Sequence, residues 1–426
     1  MKLLNSEKVV VGYDLCDDYC QISYCTSESD NVETISSVAG AEVFNIPTVL
    51  CKREGVNQWF YGKEAIRYAQ EGQGILVERL LSLALDGEPI QIEGNSFQPA
   101  ALLTLFIKRS LGMLSQIASV DKISAIMITC ERMNHESLEV LNQVVSNLGL
   151  KTDKIYFQSH KESFYHYMIQ QPEELWRFQT FLCEYRDNHV RMYRMECNKY
   201  TNPVVAFIDE AEYPFISYEP MPENESMRLD KQRRMDEEFL ELVKRVYENQ
   251  LISSIYLIGE HYSEEWMKES LKYLCKGRRV FQGNNLYSKG ACYGMLERLQ
   301  ESEVGRNHVF LGNEKLKSNI GMKILRRGQE SYFALLDAGG NWFEAEADLE
   351  FYLYEENYVE LIITSLVGKN SKIARIVIED LPEGISRLRM HLYLKDEQHL
   401  TVTIEDLGFG AFREATHRVW EEEIEL

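Results

Sequence analysis

Residues 9–20 read VVVGYDLCDDYC, an apolar strand that runs into a turn holding Asp14, Cys16, Asp17, Asp18 and Cys20. Carboxylates in such a turn do one of two things: they hold a cation beside an anionic ligand, or they keep an anion away. A turn that binds phosphate is built from glycine and hydroxyl residues, so that backbone N–H groups can approach the oxygens closely. Cys16, Asp17 and Asp18 supply none of that. Two carboxylates within a few ångströms of a triphosphate repel it by several kcal/mol at an effective dielectric of about 20. Farther on, GGNWF and LEFYLY carry Trp342, Phe343, Phe351 and Tyr354, which at strand spacing read as core aromatics, Trp342 beside Gly339 and Gly340 being the better exposed.

The nine cysteines are scattered and form no Cys-x-x-Cys pair, which indicates reduced thiols rather than a disulfide framework or a zinc knuckle. Cys16, Cys20 and Cys25 cluster, either as a metal site or as small apolar fillers of a strand, and the second is expected. No Gly-x-Ser-x-Gly elbow, Walker loop or His-Glu-x-x-His motif occurs.

These side chains need a framework, and 426 residues that are 45% hydrophobic can bury the cores of two or three domains. Lys and Arg number 46 against 67 Asp and Glu, a net charge of −21 that repels a phosphate backbone, so nucleic acid is not an expected partner. No apolar run reaches the roughly 18 residues of a membrane span, and the first residues lack signal-peptide features, so a cytoplasmic protein is expected. Over roughly the first 300 residues, strands and helices alternate. KVVVGYDL and QISYC read as a hairpin, and ISAIMITC as a central buried strand. A helix over HESLEVLNQVVSNLG turns Leu138, Leu141, Val145 and Leu148 inward and ends at Gly149. TFLCEY, HVRMYRME and PVVAFIDE form a second antiparallel group, and PENESMRLDKQRRMDEE reads as a charged loop or helix start. Beyond the polar, charged segment LQESEVGRNH, which reads as a linker, short strands separated by Gly, Asn and Asp turns predict an all-β sandwich.

The order of these pieces resembles the seventy-kilodalton heat-shock chaperones of the actin-like ATPase superfamily. VGYDLCDDYC is similar to their first phosphate turn, IPTVLCKREGVNQWFYGKEAIRYA to their Ile-Pro-Ser strand and the helix after it, and IYLIGEHYSEEW to their adenosine motif. IARIVIEDLPEGISRLRMHLYLKDEQHLTVTIEDLG resembles the closing strands of their peptide-binding sandwich. The resemblance implies an α/β actin-like (ribonuclease H-like) two-lobed nucleotide domain over residues 1–298, with a reduced adenosine-gripping subdomain. A linker over 299–308, a β-sandwich resembling a chaperone peptide-binding domain over 309–412, with Trp342, Phe343, Phe351 and Tyr354 as the implied peptide-binding candidates, and an acidic C-terminal tail or terminal helix over 413–426 complete the expected order.

The departures from that family fall on its chemistry. Gly12 and Asp14 keep their places in the first turn, where Asp14 either matches the family's metal-water carboxylate or simply ends its strand. Glu184 keeps an acid in the second turn, but Arg186, Asp187 and Asn188 replace its three glycines. The catalytic lysine aligns with Glu78, the carboxylate of the Asn-Glu-Pro-Thr stretch with Ser159, and the second adenosine-motif glycine with Glu260, while Gly259 survives. Phosphoryl transfer is nearly all positioning and electrostatics, so little catalysis is left. The resemblance therefore implies a non-catalytic chaperone-like pseudo-ATPase, a scaffold or adaptor that binds protein or extended peptide, with no cofactor and no metal. A divergent chaperone that still binds Mg-ATP through Asp14 and Glu184, and an actin-like assembly protein of the bacterial kind, are the alternatives.

Overall fold

Val9–Leu15 is apolar on both faces and forms β1, with every residue buried, as a run of this kind does in the middle of a sheet. In the computed structural model the described residues are 8–27, 29, 31–38, 40–217, 219–259, 261–262, 265–354, 356–367 and 371–426. The chain divides into two units, residues 1–197 with 207–306, and residues 198–206 with 307–426.

The first unit contains the same arrangement twice. After β1 come β2 (Tyr19–Thr26), β3 (Glu33–Thr34), α1 (Pro99–Leu111), β4 (Ile123–Cys130), α2 (His135–Leu148), β5 (Ile155–Ser159) and α3 (His160–Ile169). The strands lie in the order β5-β4-β1-β2-β3, with β1, β4 and β5 parallel and β2 antiparallel to its neighbours. The second set is β6 (Gln179–Arg186), β7 (His189–Asn198), β8 (Val204–Pro214), α4 (Glu225–Val246), β9 (Ile252–Ile258), α5 (Glu269–Leu274), β10 (Arg279–Gly283) and α6 (Leu286–Leu299). Its order is β10-β9-β6-β7-β8, with β6, β9 and β10 parallel and β7 antiparallel to β6. Short strands and two helices between β3 and α1, including the helix Leu80–Asp86, are an insertion with no counterpart in the second set.

Local chemistry fixes the helices. Asn134 caps α2 by accepting the Ser137 N–H at 2.9 Å, and Gly149 ends it in the left-handed region. Its buried stripe is Leu138, Leu141, Val144 and Leu148, so Val144 rather than Val145 faces inward. The charged stretch before β9 is helix, not loop: Asn224 caps α4, and Arg233 pairs with Asp230 at 2.6 Å and Glu237 at 3.4 Å along its exposed face. α6 lies against β1 and α3 at glycines, where a side chain would collide with backbone.

In the second unit, β11 (His308–Phe310) pairs parallel with Val204–Ala206. There follow β12 (Ser318–Arg326), β13 (Gln329–Leu336), β14 (Glu346–Tyr354), β15 (Tyr358–Ser365), β16 (Ser371–Val377), β17 (Ile385–Leu394), β18 (His399–Asp406) and β19 (Val419–Glu425). They make two antiparallel sheets, β13-β12-β15-β16 and β14-β17-β18-β19. Alternation carries the burial: Leu388, Met390 and Leu392 of β17 and Leu400, Val402 and Ile404 of β18 point inward. The segment expected to be an acidic tail, or a terminal helix, is instead β19, because Trp420 and Ile424 fall opposite Ile404 and Leu400 while the glutamates between them face out or lie along the rim. The expected linker holds a short helix, Glu303–Asn307.

Candidate functional site

The carboxyl ends of the parallel strands gather the polar side chains of the first unit. Asp14 is the next-to-last residue of β1, Glu131 follows β4, and His160 follows β5 as the first residue of α3. Glu184 and Arg186 close β6, and Gly259 follows β9. In open α/β sheets this rim is where ligands bind.

His160 is fully buried, and its Nε2 lies 2.7 Å from Asp14 Oδ1. Its ring stacks on Tyr287 of α6, with centroids 3.9 Å apart and planes 8° from parallel. Cys16 Sγ stands 3.8 Å from the same Asp14 oxygen and 4.0 Å from His160 Nε2. Burial, and next the Asp14 charge, push the Cys16 thiol well up, so it is neutral. Burial likewise raises the Tyr287 hydroxyl. Asp14 Oδ2, His160 Nδ1 and the Tyr287 hydroxyl are buried without a hydrogen-bond partner among the described residues.

A second cluster adjoins the end of β6. Arg186 donates to Glu184 Oε1 at 3.0 Å and to Glu131 Oε2 at 2.9 Å. Arg191 of β7 approaches Glu131 Oε1 at 2.7 Å and Glu212 of β8 at 2.6 Å. Burial alone would raise the Glu131 carboxyl, but Arg186 and Arg191 outweigh it and hold it below its ordinary value. Burial would lower the Arg186 guanidinium, and Glu184 and Glu131 outweigh that too. Glu131, Arg186 and Arg191 are therefore ionised. Because Glu131 stands on the rim of one sheet and both arginines on the other, the network ties the two rims together. Replacing Arg186 by alanine leaves Glu184 and Glu131 facing each other's charge across a partly desolvated space. We expect a loss of about 2–4 kcal/mol, read as a lower urea midpoint for unfolding of the full chain.

The other residues singled out in the sequence have structural employment. A Cβ on Gly12 would lie 2.2 Å from the Ser288 carbonyl oxygen, so this glycine admits α6 against β1 rather than a phosphate. Asp17 accepts from the backbone N–H of Ser82, at 2.9 Å, and from the Ser82 hydroxyl at the start of the helix Leu80–Asp86. Asp18 is exposed, as are Glu78 and Asp187. Ser159 is the cap of α3, accepting from the Glu162 N–H, and its neighbour His160 is the residue that meets Asp14. Gly259 has φ +104° beside the Tyr185 carbonyl, and Glu260 lies outside the described residues. Cys20 and Cys25 are buried strand residues. Sequence reasoning missed His160, Tyr287, Glu131 and Arg191. Two of them carry a usable signal, since Glu131 and His160 each directly follow a buried parallel strand.

These residues do not fit a magnesium nucleotide. Asp17 is committed to Ser82 and Arg186 to two glutamates, so neither turn offers the bare backbone a phosphate needs. Asp14 Oδ2 and Glu184 Oε2 are buried acceptors without a hydrogen-bond partner among the described residues, but Mg²⁺ takes about six oxygen ligands, and the groups beside Asp14 are a thiol and an imidazole.

In the second unit, Trp342 lies on the loop that holds Gly339 and Gly340 yet is only 8% exposed, against the expectation of an exposed loop aromatic. Its N–H donates to the Glu314 carbonyl, and Lys315 Nζ donates to Asn341 Oδ1 at 2.6 Å, which folds the loop inward. Trp342 meets Phe343 edge-on at 5.5 Å, and both line a shallow depression of about 350 Å³ with Glu346, His391 and Tyr393. Phe351, half-buried, and Tyr354, 62% exposed, project from opposite faces of β14, so the four aromatics do not make one pocket. The exposed face of β14 carries Tyr352 and Tyr354.

Residues 31–313 match the family described as "Family of unknown function (DUF5716) C-terminal", and residues 315–426 match "Domain of unknown function (DUF8552)". No curated protein matches the chain. Among the described residues, no helix is long and apolar enough to cross a membrane.

Proposed function

The chain belongs to the DUF5716 C-terminal family, and on that premise we propose that it is a non-catalytic, chaperone-like scaffold: an actin-like pseudo-ATPase unit joined to a protein-binding β-sandwich unit. The repeated strand order of the first unit supports the actin-like reading, since two ribonuclease H-like halves would have this order and these directions. One observation carries the loss of nucleotide chemistry. Arg186, at the turn where glycines would cradle a phosphate, is bound to Glu184 and Glu131 and so spans the rims of both sheets. A side-chain clamp stands where a ligand would otherwise bridge the halves. The partner we assign is an extended protein segment. Supporting it, β14 is the outer strand of its sheet and presents Tyr352 and Tyr354, and an outer strand can add another by main-chain hydrogen bonds.

The test is binding of a permanently unfolded reporter protein to the full chain, with and without Mg-ATP. We expect retention that nucleotide leaves unchanged and that Tyr354→Asp weakens about tenfold, or about 1.4 kcal/mol. Release of the reporter on adding Mg-ATP would replace the scaffold by a nucleotide-driven chaperone.

A further inference from the structure

We propose that Asp14, Cys16 and His160 form a binding site for a thiophilic divalent cation of the zinc type. One oxygen, one sulfur and one nitrogen donor lie within 4.8 Å of one another at the rim of β1 and α3. Their separations are 2.7, 3.8 and 4.0 Å. Tetrahedral Zn²⁺, with bonds of about 2.0–2.3 Å, places such donors about 3.3–3.6 Å apart, so the separations change by about 0.2–0.7 Å. A second observation points the same way. Asp14 is fully buried, yet its Oδ2 has no partner among the described residues, so the carboxylate keeps an unused acceptor next to the donor set. An unpaired buried carboxylate oxygen is costly, and a cation relieves that cost.

The donor set selects the metal. Thiolate and imidazole favour Zn²⁺ or Co²⁺ over Mg²⁺ or Ca²⁺, which prefer oxygen alone. Cys16 is only partly buried, so the approach is from its side and solvent takes the fourth position. On binding, Cys16 releases its S–H proton to solvent, and His160 ligates through Nε2 with its ring proton on Nδ1. The hydrogen bond between His160 and Asp14 is exchanged for two bonds to the metal. Thiolate and carboxylate together then match the charge of the dication. This site does not depend on the scaffold reading, because it needs neither nucleotide nor a protein partner.

The experiment is titration of the chelator-stripped full chain with Co²⁺ and then Zn²⁺, in the absence of nucleotide. We expect a thiolate-to-cobalt charge-transfer band that Zn²⁺ abolishes and Mg²⁺ leaves alone. Cys16→Ser should remove the band, His160→Gln should weaken binding at least about 100-fold, and Cys275→Ser should change nothing, Cys275 being an exposed thiol elsewhere. In the unaltered protein, Zn²⁺ should also slow alkylation of Cys16 but not of Cys275, a reading that needs no variant to fold. Absence of the band in the unaltered protein, its survival in Cys16→Ser, full affinity in His160→Gln, or alkylation of Cys16 indifferent to Zn²⁺ would each overturn the site.

Discussion

Alanine at Gly290 is expected to cost the first unit about 3 kcal/mol or more, or to prevent its folding. Gly290 lies in α6 where that helix crosses α3. A Cβ there would fall 1.9 Å from the Ser163 carbonyl oxygen and 2.6 Å from its carbonyl carbon. Both are backbone atoms, so no rotamer change makes room, and α6 has to move away from α3. On its other side α6 rests on β1 at Gly12, whose Cβ would meet the backbone of Ser288 and Cys292 at 2.2 and 2.3 Å. The helix is held between two close approaches and has no slack. Its displacement carries Tyr287 off the His160 ring, so the site should loosen along with the fold. Gly112→Ala is the control. Nothing lies within 4 Å of a Cβ there and φ is −58°, so alanine should be neutral or slightly stabilising. Urea unfolding of the two variants separates close packing from any general effect of replacing glycine.

The second large effect belongs to the other unit. Asp406 ends β18, is fully buried, and accepts five hydrogen bonds: two from Arg413, at 2.7 and 2.9 Å, two from Thr416, and one from the Gly408 N–H. These contacts gather the connection that returns the chain into β19. Asp406→Ala leaves the Arg413 guanidinium and two backbone N–H groups without their acceptor, and we expect a loss of about 3–5 kcal/mol. Burial alone would raise the Asp406 carboxyl, but Arg413 and Thr416 outweigh it and hold it far below its ordinary value. The sign follows from that depression. The stabilisation is fully present above the unfolded value of about 3.9 and is lost as pH falls through the folded one. Acid unfolding of the second unit should therefore be steeper in the unaltered protein than in Asp406→Asn, which has no proton to take up there.

Much of the framework was legible because it is local. β1 and β4 are unbroken apolar runs, and α2 carries both its cap and its terminal glycine in sequence. What was not legible depends on partners distant along the chain. β19 is acidic and short by composition, and becomes a strand because β18 offers an edge to pair with and Asp406 folds the connection back. Trp342 sits beside two glycines, as an exposed loop residue would, and is buried because Glu314 and Lys315 pull its loop in. At the site, the residues of each turn could be read one by one, whereas the pairing of Asp14 with His160 joins residues 146 positions apart. The salt bridge from Arg186 to Glu131 likewise spans 55 positions. Neither partner belongs to a local motif.

The proposal that the first unit is an actin-like pseudo-ATPase without nucleotide is tested most directly by thermal unfolding of the metal-stripped full chain. The pseudo-ATPase reading predicts the same melting temperature in magnesium alone and in magnesium with millimolar ATP or ADP. A ligand at 100 times its dissociation constant would add about 2.7 kcal/mol. A rise that requires both nucleotide and magnesium would contradict it.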